Sequence, residues 1–261
     1  MKILVVNLST GEKHERELSD PLMGGRYLSG TLVTEFVDTK TDPLSPENAL
    51  VLAAGVLANS RTSTGSRLSI GCKSPLTKGI KESNAGGMAG DSLAGLGYRA
   101  VVFLGVVPEG KLAVYHLDQN GGHLDYESAA DCQGKGNEDT TAYLLEKFGK
   151  DTCVISIGQA GEQLMGAAGI AVTDAEGNPF RLAARGGVGA VMGSKGLKAI
   201  TAPLPPRSGR ELSKEARQPI TDFNCGKYRS KLVLTRCNFI MFRFCQNTKF
   251  PQFFVEFFHI G

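Results

Sequence analysis

Residues 180–200 read FRLAARGGVGAVMGSKGLKAI, and the interpretation of this stretch decides the fold. The Gly-rich part, 186–196, leads into a final strand over Lys198–Ala202. Two nucleotide-binding readings fail here. A P-loop needs four residues between its first Gly and a Gly-Lys pair. In GAVMGSK (189–195) three residues separate the glycines, and Ser194 precedes Lys195. No Gly-x-Gly-x-x-Gly follows a strand in a βαβ unit, so a nicotinamide site is not supported.

Working outward, the pattern contains many short strands. Residues 2–7, 49–54, 67–73, 100–106, 153–157 and 168–173 are apolar or alternating, and 14–18 is expected to return as a second strand after the turn Ser9-Thr10-Gly11. Leu112–Leu117 and His123–Glu127 flank Gln119-Asn120-Gly121-Gly122 and predict a hairpin. Three helices are expected. The first covers 21–37, with weakening glycines. The second is a small-residue segment over 85–95. The third, 137–148, is capped by Asn137 or Asp139 and stopped by Gly149. The sum is eight to ten strands and three helices without regular alternation, which predicts α+β rather than a doubly wound sheet. No internal repeat is evident.

The chain has 261 residues, 41% hydrophobic and 21% charged, which fits a globular protein with a real core. No apolar run reaches the roughly 18 residues of a membrane span. The N-terminal MKILVVN reads as a strand rather than a signal peptide. The averages hide a boundary: of 13 Phe, 9 lie in 221–261, with 3 of the 6 Cys. That segment has six Lys or Arg against Asp222 and Glu256, so it carries more than the whole net charge of +3. The charge therefore gives no basic surface for nucleic acid. The division expected is a domain over 1–205, a Pro-bounded linker over 206–220, and an aberrant Phe/Cys-rich tail over 221–261.

Three stretches combine glycine with cationic or amide side chains: 62–79, 83–90 and 180–196. Glycines let backbone N–H groups approach a ligand, and Arg offers phosphate a planar fork. For any one stretch, close backbone packing with Arg67, Arg181 and Arg185 on the surface is the plainer reading.

Together the three resemble the N-terminal domain of the aldehyde:ferredoxin oxidoreductase family of tungsten or molybdenum pterin enzymes. The resemblance runs in order through VNLSTGE (6–12), GGR (24–26), DPLSPEN (42–48), AAG (53–55), TGSR (64–67), KSPLT (73–77) and NAGG (84–87). It continues through GLGYRAVV (95–102) and SIGQAGE (156–162) to RGGVGAVMGSKGLKAI (185–200). It implies a base of two β-sheets on which a tungsten- or molybdenum-bis-pterin lies. Carried over by motif, Arg67 contacts a pterin, between it and a 4Fe-4S cluster. Asn84 and the backbone carbonyl of Leu182 hold a magnesium bridging the two pterin phosphates. Gly86 lets the backbone reach the pterin, and Arg181, Ala184 and Arg185 line the other pterin. The family often has a small residue where Leu182 stands, so crowding of the pterin is an expectation to check. It commonly has Gly where Ala184 stands.

The resemblance implies oxidation of an aldehyde to a carboxylic acid, with ferredoxin as electron acceptor. It allows a homodimer, while six cysteines without a secretory signal suggest reduced thiols in the cytoplasm rather than a disulfide framework. The family's Cys-x-x-Cys-x-x-x-Cys run is absent: Cys225, Cys237 and Cys245 are spaced by eleven and seven residues, and Cys72, Cys132 and Cys153 are scattered. The cluster ligands are therefore expected outside this chain. The four His (14, 116, 123, 259) have no ligand spacing, and no catalytic residue is assigned. The chain reads as a truncated enzyme, inactive alone. The alternative is a non-catalytic stand-alone pterin-binding or subunit-interaction module. A frameshift or truncation best accounts for the tail, ahead of a divergent gene or a short amphipathic membrane segment.

Overall fold

Within the run ALVLAA (49–54), Leu50, Leu52 and Ala54 face one apolar cluster while Val51 and Ala53 face another. A strand can bury both faces only if something covers each, and here both faces are covered. A computed structural model describes residues 1–205 except 61, 63 and 109. The linker and tail expected over 206–261 lie outside the described residues.

The first half of the fold runs β1 (Lys2–Asn7), β2 (Lys13–Glu17), α1 (Gly25–Phe36), β3 (Leu50–Ala54), β4 (Leu68–Lys73), β5 (Ile80–Ala85), α2 (Ala89–Gly95) and β6 (Tyr98–Leu104). The second runs β7 (Ala113–His116), β8 (His123–Asp125), α3 (Tyr126–Cys132), α4 (Asn137–Phe148), β9 (Thr152–Ser156), α5 (Gln159–Glu162), β10 (Ile170–Val172), β11 (Arg181–Ala183), α6 (Val188–Ser194) and β12 (Leu197–Pro203).

The halves share one topology. The first sheet has the order β2-β1-β6-β3-β4-β5; the second, read in the same sense, is β8-β7-β12-β9-β10-β11. Each sheet has one parallel pair, β1 with β6 and β7 with β12, and antiparallel neighbours elsewhere. The fold is therefore an internal duplication, which the sequence reading did not find. The α+β class with two sheets is as expected.

The sheets stack face to face. Leu4, Val6, Leu68, Ile70, Val101 and Phe103 meet Tyr115, Ile155, Ile157, Ile170 and Ile200 between them. The short helices α2 and α6 wedge into the same space, and Val188 to Met192 are all fully buried. Their small residues are what permits this. A Cβ on Gly193 would run into the carbonyl of Gly161, and one on Gly189 into that of Gly169. On the outer faces, α1 covers the first sheet through Leu28, Leu32 and Val33, and α3 with α4 covers the second through Ala129, Cys132 and Leu144.

The described residues hold twelve strands and six helices, more than expected. Strand β5 (IKESNA) has little apolar signal because it is an edge strand, with Ile80 53% exposed. The small-residue segment 85–95 is helical only from Ala89, because its start belongs to β5 and a Gly-Gly elbow. The hairpin strand expected to reach Glu127 ends at Asp125, whose side chain accepts from the Ser128 amide and starts α3. Helix α4 spans the predicted residues, but its N-cap is Gly136 without a side-chain cap. The Asn137 amide oxygen is taken instead by the Ser156 hydroxyl, 3.1 Å away. Helix α1 begins at Gly25 rather than residue 21, after an extended Gly24.

Candidate functional site

Duplication brings two equivalent edges together. β5 and β11 are the edge strands of their sheets and pack against each other. Each edge keeps one row of backbone groups unpaired by its own sheet. Each is followed by a Gly-Gly elbow and a short buried helix: Gly86-Gly87 before α2, Gly186-Gly187 before α6. Gly87 has φ +93°, and Gly186 and Gly187 have φ +78° and +73°, so these turns need glycine.

The residues singled out from the sequence fall on this seam. Arg67 immediately precedes β4. Its Nε donates to Asn84 Oδ1 at 2.6 Å. The Asn84 amide donates in turn to Ser69 Oγ at 3.1 Å, and Ser69 and Asn84 face each other across the β4–β5 ladder. A Cβ on Gly86 would stand 3.4 Å from Arg67 Nη1 and 3.8 Å from Arg181 Cδ. One guanidinium from each half therefore flanks the same bare stretch of backbone.

From the other half, β11 presents Arg181 and Leu182 outward and buries Ala183. Leu182 is 56% exposed. Its main chain pairs within the sheet, where Leu182 faces Ala171 of β10. Ala184 packs on Gly169. The amide of Arg185 crosses the seam to Ser83 Oγ at 3.1 Å. The KSPLT segment locks the elbow from the first half, where Ser74 Oγ donates to the Gly186 carbonyl at 2.7 Å and Pro75 lies against Gly187. Thus Arg67, Asn84, Gly86 and Arg181 converge directly, and Leu182, Ala184 and Arg185 continue along the neighbouring edge. Ser69 and Ser83, which fix Asn84 and Arg185, were not singled out from the sequence. For Ser69 the available signal was its place between Leu68 and Ile70 in β4; Ser83, between Glu82 and Asn84, offered none.

The seam is open: Arg67, Arg181, Leu182, Ala184 and Arg185 are all exposed. Two grooves elsewhere do not touch it. One is lined by Val6, Lys13, Tyr115 and His123, the other by His116, Asp125, Phe148 and Thr201. In the second groove His116 lies between Thr201 Oγ1 at 2.6 Å and Asp125 Oδ2 at 3.2 Å. Burial pushes the imidazole pKa down, against the pull of Asp125.

The donor set at the seam suits a phosphate-bearing group with a hard cation: amide and backbone oxygens for the metal, Arg forks for phosphate. Thiols are not part of it. Burial pushes Cys72 up to about 12 and Cys153 up to about 11, as expected of core thiols. Among the described residues no group of three or more His, Cys, Asp or Glu is placed to hold a metal ion. Cys225, Cys237 and Cys245 lie outside the described residues.

Residues 3–203 match the family model described as "Aldehyde ferredoxin oxidoreductase, N-terminal domain". The chain is 40% identical over 204 residues to a tungsten-containing aldehyde ferredoxin oxidoreductase of Pyrococcus furiosus, covering 76% of this chain and 32% of that protein. Against the enzyme of the same description from Thermococcus kodakarensis the identity is 38%, with the same coverage. A WOR-like subunit of an aliphatic sulfonate oxidoreductase from Pyrococcus furiosus is 30% identical over 237 residues, covering 82% of this chain and 36% of that protein. Among solved structures, the active-site complex BamBC of benzoyl coenzyme A reductase, with bound 1,5-dienoyl-CoA, superposes with a TM-score of 0.70 at 29% identity. The match covers 78% of this chain and 30% of that one. The chain thus spans about a third of the length of the relatives it matches.

Proposed function

The chain belongs to the aldehyde ferredoxin oxidoreductase family, and from that premise we propose that residues 1–205 are the base on which a tungsten- or molybdenum-bis-pterin is held. The carrying observation is the seam between the duplicated halves. Two equivalent Gly-Gly elbows, each beside an edge strand and an arginine, suit a cofactor made of two equivalent pterins around one metal.

In this reading Arg67 and Arg181 flank the backbone of Gly86 and bind the pterins. Ala184 and Arg185 line the second pterin. Asn84 and the Leu182 carbonyl supply oxygens to a magnesium between the phosphates. Asn84 also fixes Arg67 by accepting from its Nε, leaving the guanidinium's other edge for the ligand. The arginines offset phosphate charge, and the bare backbone permits close approach. When bound, the metal–pterin group supplies two-electron oxo chemistry. This chain's residues hold and orient it.

For the whole protein we propose oxidation of an aldehyde with water to a carboxylic acid, releasing two electrons and two protons. A 4Fe-4S cluster, held by residues outside this chain, would supply one-electron transfer toward ferredoxin. The cytoplasm and a homodimer fit this proposal. We also place the domain boundary near residue 205, with a linker over 206–220 and a separate tail beyond it. Among the described residues no helix is long and apolar enough to cross a membrane.

A second reading is favoured by the openness of the seam among the described residues. It is a non-catalytic module that carries the pterin group or docks as a subunit. The test is to purify the chain from cells given tungstate or molybdate and measure metal, pterin and iron per chain. Metal and pterin without iron support the module. About four irons per chain, as a single cluster requires, overturns the placement of the cluster ligands outside it. Arg67→Ala or Asn84→Ala should lower pterin content, and unchanged content would remove these assignments.

A further inference from the structure

The two halves keep one register at the seam. Cys72 faces Lys81 across β4 and β5, as Val172 faces Arg181 across β10 and β11. Lys81 and Arg181 are therefore equivalent residues, each five positions before the first glycine of its elbow. They also reach alike, in opposite directions. Arg181 crosses the seam and lays its stem on the first elbow. A Cβ on Gly87 would stand 3.3 Å from Arg181 Cγ, and one on Gly86 3.8 Å from Cδ. Lys81 crosses the other way, onto the second elbow. A Cβ on Gly186 would come within 2.3 Å of Lys81 Cγ, and within 3.1 and 3.2 Å of Cδ and Cε. The space left by the missing side chain of Gly186 is filled by the lysine stem.

That stem is held, yet its ammonium is not used by the fold. Lys81 is half-buried, and among the described residues its ammonium makes no hydrogen bond or ion pair. The structural lysines differ. Lys195 is satisfied by the carbonyls of Asn48 and Gly105, and Lys198 by the Lys135 carbonyl and Glu162. Glu82, next along β5, points to the opposite face of the strand, where it accepts from Arg26. The second elbow is also poorer than the first in polar groups. The offset that equates Lys81 with Arg181 puts Ala167 where the first half has Arg67, and Ala184 where it has Asn84.

We infer that Lys81 is a ligand-binding residue of the second elbow, the counterpart of Arg181 at the first, with its ammonium on the phosphate of the second pterin. It rests on the reading of the seam as a bis-pterin cradle. A lysine ammonium is a compact charge with three donors, suited to a phosphate oxygen. Arg185, the chain neighbour of Gly186, is the second cation there. Each half thus lends a basic side chain to the elbow of the other, so neither elbow is complete without the opposite half.

The test is titration of the full chain with inorganic pyrophosphate by calorimetry, with Lys81→Met as the decisive variant. Methionine keeps an unbranched stem on Gly186 and removes the charge. Binding should weaken about tenfold, the loss of one charge-assisted contact, at an unchanged melting temperature. Lys81→Gln, read in the same titration, gives the same answer if methionine disturbs folding, and Lys81→Arg should keep most of the affinity. If Arg67→Ala or Arg181→Ala weakens binding while Lys81→Met and Lys81→Gln leave it unchanged, Lys81 is a packing stem. The inference is then overturned and the cradle stands. If the wild-type chain does not bind pyrophosphate, or if none of these substitutions alters binding, the cradle reading fails and Lys81 with it.

Discussion

The ammonium of Lys195 ends on the carbonyl oxygen of Asn48, 2.6 Å away, where neither residue has any exposed surface. It also donates to the carbonyl of Gly105 at 3.0 Å. The lysine of the GSK sequence therefore ties the end of α6 to the DPLSPEN loop and to the end of β6. It is a staple rather than a phosphate ligand, consistent with the failed P-loop pattern.

Burial lowers the Lys195 pKa from 10.5 to about 8, against the smaller pull of Cys72 and Glu47. Between these values the unfolded chain binds more protons than the native one, so this group makes stability rise with pH from about 8 to 10.5. Below about 8 its destabilising share is constant. Lys195→Met should remove that alkaline gain and leave two carbonyls without a donor, at a cost of about 2–4 kcal/mol. Urea melts of both proteins at pH 7, 8.5 and 10 measure this. Parallel curves for the two proteins would refute the assignment.

Gly193 and Gly136 make a matched pair. A Cβ at Gly193 meets the Gly161 backbone, whereas one at Gly136 meets nothing within 4 Å, and its φ of −68° suits any residue. Gly193→Ala should cost about 3 kcal/mol by overpacking. Gly136→Ala should stay within about 1 kcal/mol, since only a weak N-cap preference is at stake. Thermal melting of the two variants decides it; equal effects would mean that α6 is not wedged between the sheets.

These glycines also show what could be read from the sequence. The burial pattern of ALVLAA, the extent of α4 and the Gly149 stop follow from apolar period and backbone need, which a sequence displays. Arg67, Asn84, Gly86 and Arg181, singled out by the motifs, lie together at one seam. The duplication was hidden, because equivalent core positions require only apolar volume and the two halves fill them differently. Asn84 and Ala184, each two residues before the first glycine of its elbow, share no side-chain chemistry. The clearest trace that survives is backbone: Gly86-Gly87 and Gly186-Gly187. Arg26 and Glu82 are far apart in sequence, and only the fold brings them together, with Arg26 Nε 3.0 Å from Glu82 Oε2.

Asp125 carries three contacts at once. Its carboxylate accepts from the Ser128 amide at 3.0 Å, from the Ser128 hydroxyl at 2.5 Å, and faces His116. Burial opposes its ionisation most strongly, but the Ser128 hydroxyl and amide and His116 together hold the carboxyl down at about 2. The folded pKa is depressed from 3.8, so the stabilisation is full above that value and is lost as pH falls through about 2. Asp125→Ala should cost about 1–2 kcal/mol at neutral pH through the lost cap of α3. It should also flatten the acid limb of the stability curve. Acid titration of circular dichroism in both proteins tests this, and an unchanged acid midpoint would exclude Asp125 as a contributor.

Leu182 separates a main-chain role from a side-chain role at the seam. Its side chain is more than half exposed, and its carbonyl belongs to an edge strand. If the carbonyl is what serves the magnesium, Leu182→Ala changes nothing that matters, and pterin per chain should stay at the wild-type level. Arg67→Ala removes a guanidinium that no neighbour replaces, and pterin content should fall about tenfold or more, as for loss of a charge-assisted contact. Both substitutions are at exposed positions, so melting temperatures should stay close to wild type and pterin content can be compared at equal folding. A loss of pterin in Leu182→Ala as large as in Arg67→Ala would show that the leucine side chain itself packs on the ligand, and the main-chain assignment would have to be withdrawn.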